Sequence, residues 1–249
     1  MKTDFFALYD ALIAGVGSGR QVTGLASGSW WTMAQTDCSA GLAMTTPGDS
    51  IAPLLPGGIV GLPLDEAASA VKSWNQTEAG CGLAAINAWY NTADNMAALS
   101  AAEPFENYCT RGLDFSGRTV GLIGHLNGPA HLRQQARRVY IIEKHPQPGD
   151  YPDSACDYIL PQCDIVLITG SSLVNKTLPH LLELCSGAYT VLTGPSVPLC
   201  PALLDFGIDR IAGMVVADRP AMLDKVRRDL PGSPYPFGAP FMLTRREHN

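Results

Sequence analysis

Thr119-Val-Gly-Leu-Ile-Gly-His125 opens a series of five apolar strands in the second half of this 249-residue chain. Arg138-Val-Tyr-Ile-Ile-Glu143 and Asp164-Ile-Val-Leu-Ile-Thr169 supply the next two, and residues 188–194 and 211–216 supply the last two. Uninterrupted apolar runs are typical of strands that are covered on both faces. Helical segments alternate with them, which indicates β-α-β units. The sequence therefore predicts an α/β fold, a parallel sheet with helices on both faces.

Each of the first four strands stops at a glycine, a polar residue or both. The stops are Gly124-His125, Glu143-Lys144-His145, Thr169-Gly170-Ser171-Ser172 and Gly194-Pro195-Ser196. In an open parallel sheet all of these stops fall on one edge, and such folds bind ligands in the crevice beyond the carboxyl ends of the strands. We therefore predict that the functional site lies at this edge.

The charge balance limits the classes of partner. The net charge is −6, from 17 basic and 23 acidic residues, and no basic run stands out. We therefore expect no nucleic-acid partner. The sequence contains no stretch of about 18 uninterrupted apolar residues, so we expect no membrane span. Asp4 and Asp10 interrupt the N-terminal apolar run, which is therefore unlike a signal peptide. We expect a cytoplasmic protein; the sequence leaves open whether it forms a homo-oligomer.

The seven cysteines give no framework of disulfides or structural zinc. Their number is odd, and no two have the C-x-x-C spacing. We expect most of them to be buried thiols in a reducing compartment. Cys156 and Cys163 form a weaker alternative, a pair of soft metal ligands.

The first 110 residues predict a smaller α+β domain, and residues 111–249 the parallel-sheet domain. An amphipathic helix over residues 5–12 precedes strands over residues 21–36 and 40–45, which we interpret as a hairpin. Proline and glycine make residues 47–63 a loop. A second helix begins at Leu64 and ends near Trp74.

The third helix of this domain carries polar residues that need an explanation. Asn75 to Glu78 resembles a capping box, so Glu78 is either the third-position cap or a site residue. Asn87 lies inside the apolar stripe and is either a core amide bonded to backbone or a ligand contact between the domains. Gly80 and Gly82 weaken the helix, which close approach of a backbone or a ligand would explain.

His125 follows the first strand of the large sheet and is the candidate for chemistry at the predicted edge. It is either a catalytic acid/base or metal ligand, or a structural histidine. Asp150 lies in the proline-rich loop from His145 to Pro152 at the same edge. Its carboxylate could bind a cation or a ligand amine, or cap the helix that follows.

Glu143 supports a nucleotide alternative. An acid at the end of the second strand binds ribose hydroxyls in dinucleotide folds, and the other interpretation is a solvated acid. The glycines follow the pattern Gly121-x-x-Gly124-x-x-x-Gly128, which is not G-x-G-x-x-G.

The segments that follow the third and fourth predicted strands could form either a pocket wall or plain turns. Pro179 places the next helix start near Thr177, because proline suits the first turn of a helix. Residues 170–176 are then an exposed loop whose polar members, Ser171, Ser172, Asn175 and Lys176, could bind an anionic group. The alternative is a capped turn. Pro195 and Pro198 similarly stiffen either a pocket wall or a simple turn.

Several stretches together resemble the "putative heavy-metal chelation" domain family. They are Val120–His125, Ile142-Glu143, Gly149–Pro152, Ile159–Pro161, Asp164–Ser171, Leu173–Leu178, Gly194–Ser196 with Pro198, Asp205–Gly207 and, in the companion domain, Gly28–Thr32 and Gly82–Ala88. The resemblance implies an N-terminal domain like that of enolase, a Rossmann-like C-terminal domain, and a site between them.

Our first hypothesis is binding of a metal ion, or of a metal-bearing or anionic small molecule, in the cleft between the domains. The metal, divalent or heavy, would take His125 and Asp150, with Glu143 and Glu78 as further ligands. The organic or anionic part would contact Asn87 and the segments from Thr169 to Asn175 and from Gly194 to Ser196. The rivals are a nucleotide-dependent transferase or lyase with Glu143 on a ribose, and a non-catalytic sensor or metal-delivery protein.

Overall fold

The structure, a computed structural model, describes residues 5–99, 103–104, 110–126 and 130–245. The α-helices are α1 Ala7–Ala14, α2 Leu64–Ala68, α3 Gln76–Tyr90, α4 Ala93–Ala98, α5 Ala130–Gln135, α6 Cys156–Ile159, α7 Ser171–Val174, α8 Leu178–Leu184 and α9 Arg219–Arg227. Short 3-10 helices span Ser69–Lys72, Asp153–Ala155, Leu160–Gln162, Pro201–Phe206 and Tyr235–Phe237. Gly128, from the predicted glycine pattern, lies outside the described residues.

The strands form two sheets. They are β1 Gly24–Ser27, β2 Trp31–Gln35, β3 Ala40–Met44, β4 Glu103–Pro104, β5 Thr119–Ile123, β6 Arg138–Glu143, β7 Tyr151–Pro152, β8 Ile165–Thr169, β9 Tyr189–Thr193, β10 Arg210–Val216 and β11 Gly238–Thr244. The larger sheet has the order β4-β11-β10-β9-β8-β5-β6-β7, and the smaller one the order β1-β2-β3.

The larger sheet confirms the predicted α/β fold. Strands β7, β6, β5, β8, β9 and β10 pair in parallel, whereas β11 pairs antiparallel with both of its neighbours, β10 and β4. Strand β5 lies between β6 and β8, so the chain reverses its direction of winding there. This switch point is where open α/β sheets place their ligands. The five predicted strands are β5, β6, β8, β9 and β10, whereas the two-residue strands β4 and β7 and the antiparallel β11 were not predicted.

Apolar side chains cover both faces of this sheet. On one face Val120, Leu122 and Leu167 pack with Phe115 and with Leu132 of α5. On the other face Val166 and Ile168 belong to a core that also contains Leu8 and Leu12 of α1. Residues from both halves of the chain therefore share one continuous core. The division at residues 110 and 111 stays a prediction.

The smaller sheet confirms the predicted hairpin and corrects its first arm. Strands β2 and β3 pair antiparallel, and the amide of Thr36 donates to Ser39 O across the turn. Residues 21–36 are not one strand but contain β1 and β2, because the chain turns between Ser27 and Trp31. The predicted second helix is α2 followed by a 3-10 turn. Among the described residues, no helix is long and apolar enough to cross a bilayer.

Helix α3 packs against its neighbours at two glycines. A Cβ on Gly41 would lie 2.1 Å from Ala88 N, and one on Gly82 would lie 2.2 Å from Val71 N. The close backbone approach that we considered for the α3 glycines is therefore found at Gly82. A Cβ on Gly80 would meet nothing within 4 Å. This tight packing fixes α3 on β3 and brings its polar residues to the larger sheet.

Candidate functional site

Gly124 opens the carboxyl edge of the sheet at the switch point. It follows β5 with a φ of +99°, a conformation that favours glycine. A Cβ there would lie 3.2 Å from Thr169 Cγ2 at the end of β8 and 4.0 Å from Glu143 Oε1 at the end of β6. The ends of three neighbouring strands thus come together around a residue without a side chain.

His125 lies between two carboxylates at this edge. Its Nδ1 is 3.1 Å from Glu143 Oε1, and its Nε2 is 2.7 Å from Asp150 Oδ2. The backbone amide of His125 also donates to Glu143 Oε1, at 2.8 Å. The structure therefore brings three predicted site residues together from β5, β6 and the loop before β7.

The two carboxylates differ in their surroundings. Asp150 is only 6% exposed at its side chain, against 22% for Glu143 and 39% for His125. The amide of Gln147 donates to Asp150 Oδ2 at 2.8 Å. This hydrogen bond, then the hydrogen bond and charge of His125 and the charge of Arg133, lower the pKa of Asp150 below its usual 3.8. Asp150 is thus a fixed anion behind an accessible imidazole.

The number of protons on the His125 ring decides how many of these contacts are hydrogen bonds donated by the ring. A neutral imidazole donates from one ring nitrogen only, so both carboxylates accept together only from the imidazolium. When the ring loses a proton, one nitrogen gains a lone pair that faces a carboxylate. The arrangement can therefore hold either a proton or another cation beside that nitrogen.

The prediction for the segment after β8 is wrong in one respect: residues 170–176 are not an exposed loop. Ser171–Val174 form α7, in which Leu173 and Val174 are fully buried. Burial of these two apolar side chains turns the segment inward, and Tyr9 Oη donates to Leu173 O at 3.0 Å. Thr169 and Ser171 stay partly exposed, and their hydroxyls lie 3.2 Å apart.

Asn175 and Lys176 take the capped-turn alternative. Asn175 Oδ1 accepts from the amide and the hydroxyl of Thr177, at 3.1 and 2.6 Å. Lys176 is 7% exposed and donates from Nζ to Val174 O at 2.8 Å. Burial lowers the pKa of this lysine to about 8. The hydrogen bonds of both side chains lie within the turn between α7 and α8.

The strand end after β9 is covered by the N-terminal half of the chain. The amide of Met44 donates to Ser196 Oγ at 2.8 Å, and Asn87 Nδ2 donates to Ser196 O at 3.0 Å. Gly170 is packed so tightly that a Cβ there would lie 2.7 Å from Val197 Cγ2. Gly194, with a φ of +128°, begins this packed turn, and Pro195 lies within it.

The hydrogen bonds of Asn87 are those of a core amide bonded to backbone, and its role as a ligand contact stays a prediction. It is fully buried, and its Nδ2 donates to both Leu42 O and Ser196 O. Its Oδ1 has no hydrogen-bond partner among the described residues. One turn later, Asn91 bonds Val197 O, Met214 O and the amide of Leu199. Asn91 was not predicted, although its four-residue spacing from Asn87 places both amides on one helix face.

Glu78 lies in a third environment. The amide of Glu78 is capped by Asn75 Oδ1, as predicted. Its own carboxylate accepts from the amides of Leu54 and Leu55, each at 2.6 Å. It therefore holds the loop of residues 47–63 rather than reaching back to complete the capping box. A ligand role for Glu78 stays a prediction.

Metal-binding groups are sparse in the part of the chain that the structure describes. No group of three or more histidine, cysteine or acidic side chains there converges to hold a metal ion. The cysteines Cys156, Cys163 and Cys185 are buried, and burial raises their pKa to about 11, 11 and 12. Buried neutral thiols are poor ligands, because the thiolate is the form that binds metal.

Comparisons with known proteins give the same family description for both parts of the chain. Residues 113–236 and residues 9–90 match two domain families that are both described as "Putative heavy-metal chelation". A protein of unknown function from Desulfitobacterium hafniense is 34% identical, with a TM-score of 0.85 over 97% of this chain and 98% of that chain. A second, from Pyrococcus horikoshii, has a TM-score of 0.78 at 22% identity, over 96% of this chain and 100% of that chain, and shows the fold alone.

A curated relative has no assigned function either. An uncharacterized protein of Methanocaldococcus jannaschii is 29% identical over 165 residues. The match covers 62% of this chain and 61% of that protein, so it spans less than two thirds of the relative.

Proposed function

Because this chain belongs to the "Putative heavy-metal chelation" family, we propose that it binds a divalent metal ion at His125. The ion would take His125 Nε2 and a carboxylate oxygen of Asp150. Water, or a small anionic molecule that carries the metal, would supply the other ligands. The observation that carries this proposal is the imidazole held between two carboxylates at the switch point.

The choice of Nε2 follows from the geometry of the ring. The two nitrogens of one imidazole point in different directions, so one ion can use only one of them. Asp150 is the more buried carboxylate and is fixed by the amide of Gln147. Glu143 would accept from Nδ1–H and hold the ring in the required tautomer, as carboxylates commonly do behind metal-bound histidines.

The donor set fits a borderline metal better than a thiol-seeking one. Nitrogen and oxygen ligands suit zinc, nickel or cobalt, whereas soft ions prefer thiolates. Two protein ligands leave several coordination positions open. That opening supports a metal that arrives with an organic ligand, whose anionic part would contact the hydroxyls of Thr169 and Ser171 beside Gly124.

Metal binding at this site should release a proton. The lone pair of Nε2 is available only when the ring is not doubly protonated, and metal competes with that proton. We therefore expect metal affinity to be lower in acid, where protons compete with the metal for the ligand atoms.

The direct experiment is calorimetric titration of chelator-treated protein with Zn²⁺, Ni²⁺ and Co²⁺. We expect His125→Ala and Asp150→Asn to weaken binding at least tenfold, and Glu143→Gln to weaken it less. His180→Ala is the matched control, because His180 Nε2 also lies 3.0 Å from a carboxylate, that of Asp157, on an exposed surface. Unchanged affinity in His125→Ala would sink the assignment.

The rival functions are separated by the same preparation. A nucleotide-dependent enzyme should bind ATP or NADH without metal and lose that binding in Glu143→Gln. A catalytic role for His125 as acid or base stays a prediction, since the contacts that position a metal ligand also position a proton donor. Tight stoichiometric metal binding without turnover would favour a sensor or delivery protein.

A further inference from the structure

A basic cavity lies at the opposite edge of the larger sheet from His125. It has a volume of about 420 Å³ and is lined by Thr119, Arg137, Arg138, Tyr140 and Gln162. Thr119 and Arg138 begin β5 and β6 and are register partners. The cavity is therefore at the amino ends of the strands, whereas the proposed metal site is beyond their carboxyl ends. Its volume falls within the range usual for small-molecule sites.

The two arginines of the cavity are not neutralised. Within the described part of the chain, neither Arg137 nor Arg138 forms an ion pair with a carboxylate. Arg137 Nη2 donates to the neutral hydroxyl of Thr119 at 2.6 Å. Arg138 stacks with its Cζ 4.8 Å from the centre of the Tyr140 ring. Both guanidinium groups therefore retain free donors at the cavity.

The surroundings add positive charge and an aromatic wall. Arg118 adjoins Thr119 and has only a 3.8 Å contact with Asp164 Oδ1, whose other oxygen accepts the amide of Thr119. A third arginine therefore adjoins a residue that lines the cavity, in a protein whose net charge is −6. Tyr140 packs edge-on against Tyr151, with ring centroids 5.3 Å apart. That contact fixes one wall of the cavity.

We propose that this cavity binds a small phosphorylated molecule. The phosphate would lie between Arg137 and Arg138, because a planar guanidinium matches two phosphate oxygens with two parallel hydrogen bonds. The organic part would lie against Tyr140. This site is separate from the metal site, so the proposal holds or fails independently of metal binding.

The test uses the full-length protein and three probes: inorganic phosphate, phenyl phosphate, and vesicles that contain phosphatidic acid. We expect phenyl phosphate to bind more tightly than inorganic phosphate. The double variant Arg137→Gln/Arg138→Gln should weaken both probes at least tenfold. The control Arg227→Gln/Arg228→Gln removes the same charge from α9 and should leave both affinities within twofold.

Two further variants make the result specific. Tyr140→Leu should weaken phenyl phosphate while leaving inorganic phosphate unchanged. Arg138→Lys keeps the charge but loses the two parallel N–H donors of the guanidinium, so it should lower the affinity for phosphate. This variant tests the proposal even if the double variant does not fold. Equal loss in the α9 control, or binding to vesicles without binding to phenyl phosphate, would overturn the proposal.

Discussion

The two halves of the carboxyl edge share a strand-end glycine but differ in structure. At the ends of β5 and β6, His125, Glu143 and Asp150 meet at a partly exposed cluster. After β9, Ser196 is buried beneath Met44 and Asn87. Both halves begin at a glycine with positive φ, Gly124 in one and Gly194 in the other. The difference shows that a strand-end glycine can serve either an open site or a packed interface.

The cause of the difference lies in another part of the chain. Helix α3 and strand β3 come from the first hundred residues, and they cover the turn after β9 through the contacts of Met44 and Asn87 with Ser196. Nothing in the residues around Gly194 indicates that cover. The open half is therefore expected to govern ligand binding, and the closed half to govern stability. Each of the following changes tests one side of that division.

The largest expected effect belongs to the helix that closes the covered half. Gly82→Ala would place a methyl group 2.2 Å from Val71 N, so a backbone must move. We expect the free energy of unfolding to fall by about 3 kcal/mol, measured by urea denaturation. Gly80→Ala is the matched control in the same helix and should be neutral or stabilising by up to about 1 kcal/mol. Equal effects of the two substitutions would contradict the packing described.

A smaller loss of stability is expected from Asn87, whose side-chain amide bonds β3 to the turn after β9 in the closed half. Asn87→Ala removes the donor for the buried carbonyls of Leu42 and Ser196. Each carbonyl then lacks that partner, and we expect a loss of about 2 kcal/mol with metal affinity within twofold of wild type. Asn95→Ala, which removes local bonds to Trp89 O and Tyr90 O, should cost less. If Asn87→Ala instead abolished metal binding without loss of stability, Asn87 would be a ligand contact.

The buried ammonium of Lys176 should oppose folding. Its folded pKa of about 8 lies below the usual 10.5, so the unfolded chain binds the proton more tightly. Its unfavourable contribution is full below pH 8 and fades as the pH rises through 8 to 10.5. Lys176→Met should therefore raise stability by about 1 kcal/mol at pH 7 and by less at pH 10. Thermal melts at both pH values measure the effect, with the exposed Lys144→Met as the control. A melting temperature lowered by Lys176→Met at pH 7 would contradict the prediction.

The smallest effect on stability belongs to the open half. The pKa of Asp150 is lowered in the folded protein, so its contribution is present above pH 3.8 and is lost as the pH falls through the folded pKa. We expect Asp150→Asn to melt slightly below wild type at pH 7, with the gap closing as the pH is lowered below 3.8. A gap that widens in acid would contradict the contacts of Asp150 with Gln147 and His125.

Local sequence patterns predicted the parallel sheet and the edge where the His125 cluster lies. Apolar runs and their polar stops depend on neighbouring residues, so β5, β6, β8, β9 and β10 were predicted close to their observed bounds. The partition of the edge was not predictable, because it depends on long-range contacts such as that of Met44 with Ser196. The burial of residues 170–176 was not predicted for the same reason, because Leu173 and Val174 lie in a core shared with α1.

The most direct test of a metal site at His125 is anomalous diffraction from crystals grown with Zn²⁺. We predict a peak within about 2.0–2.2 Å of His125 Nε2 and of an Asp150 carboxylate oxygen, absent from crystals of His125→Ala. A peak confined to the exposed His180 and Asp157 pair, or one that persists in His125→Ala, would contradict the account.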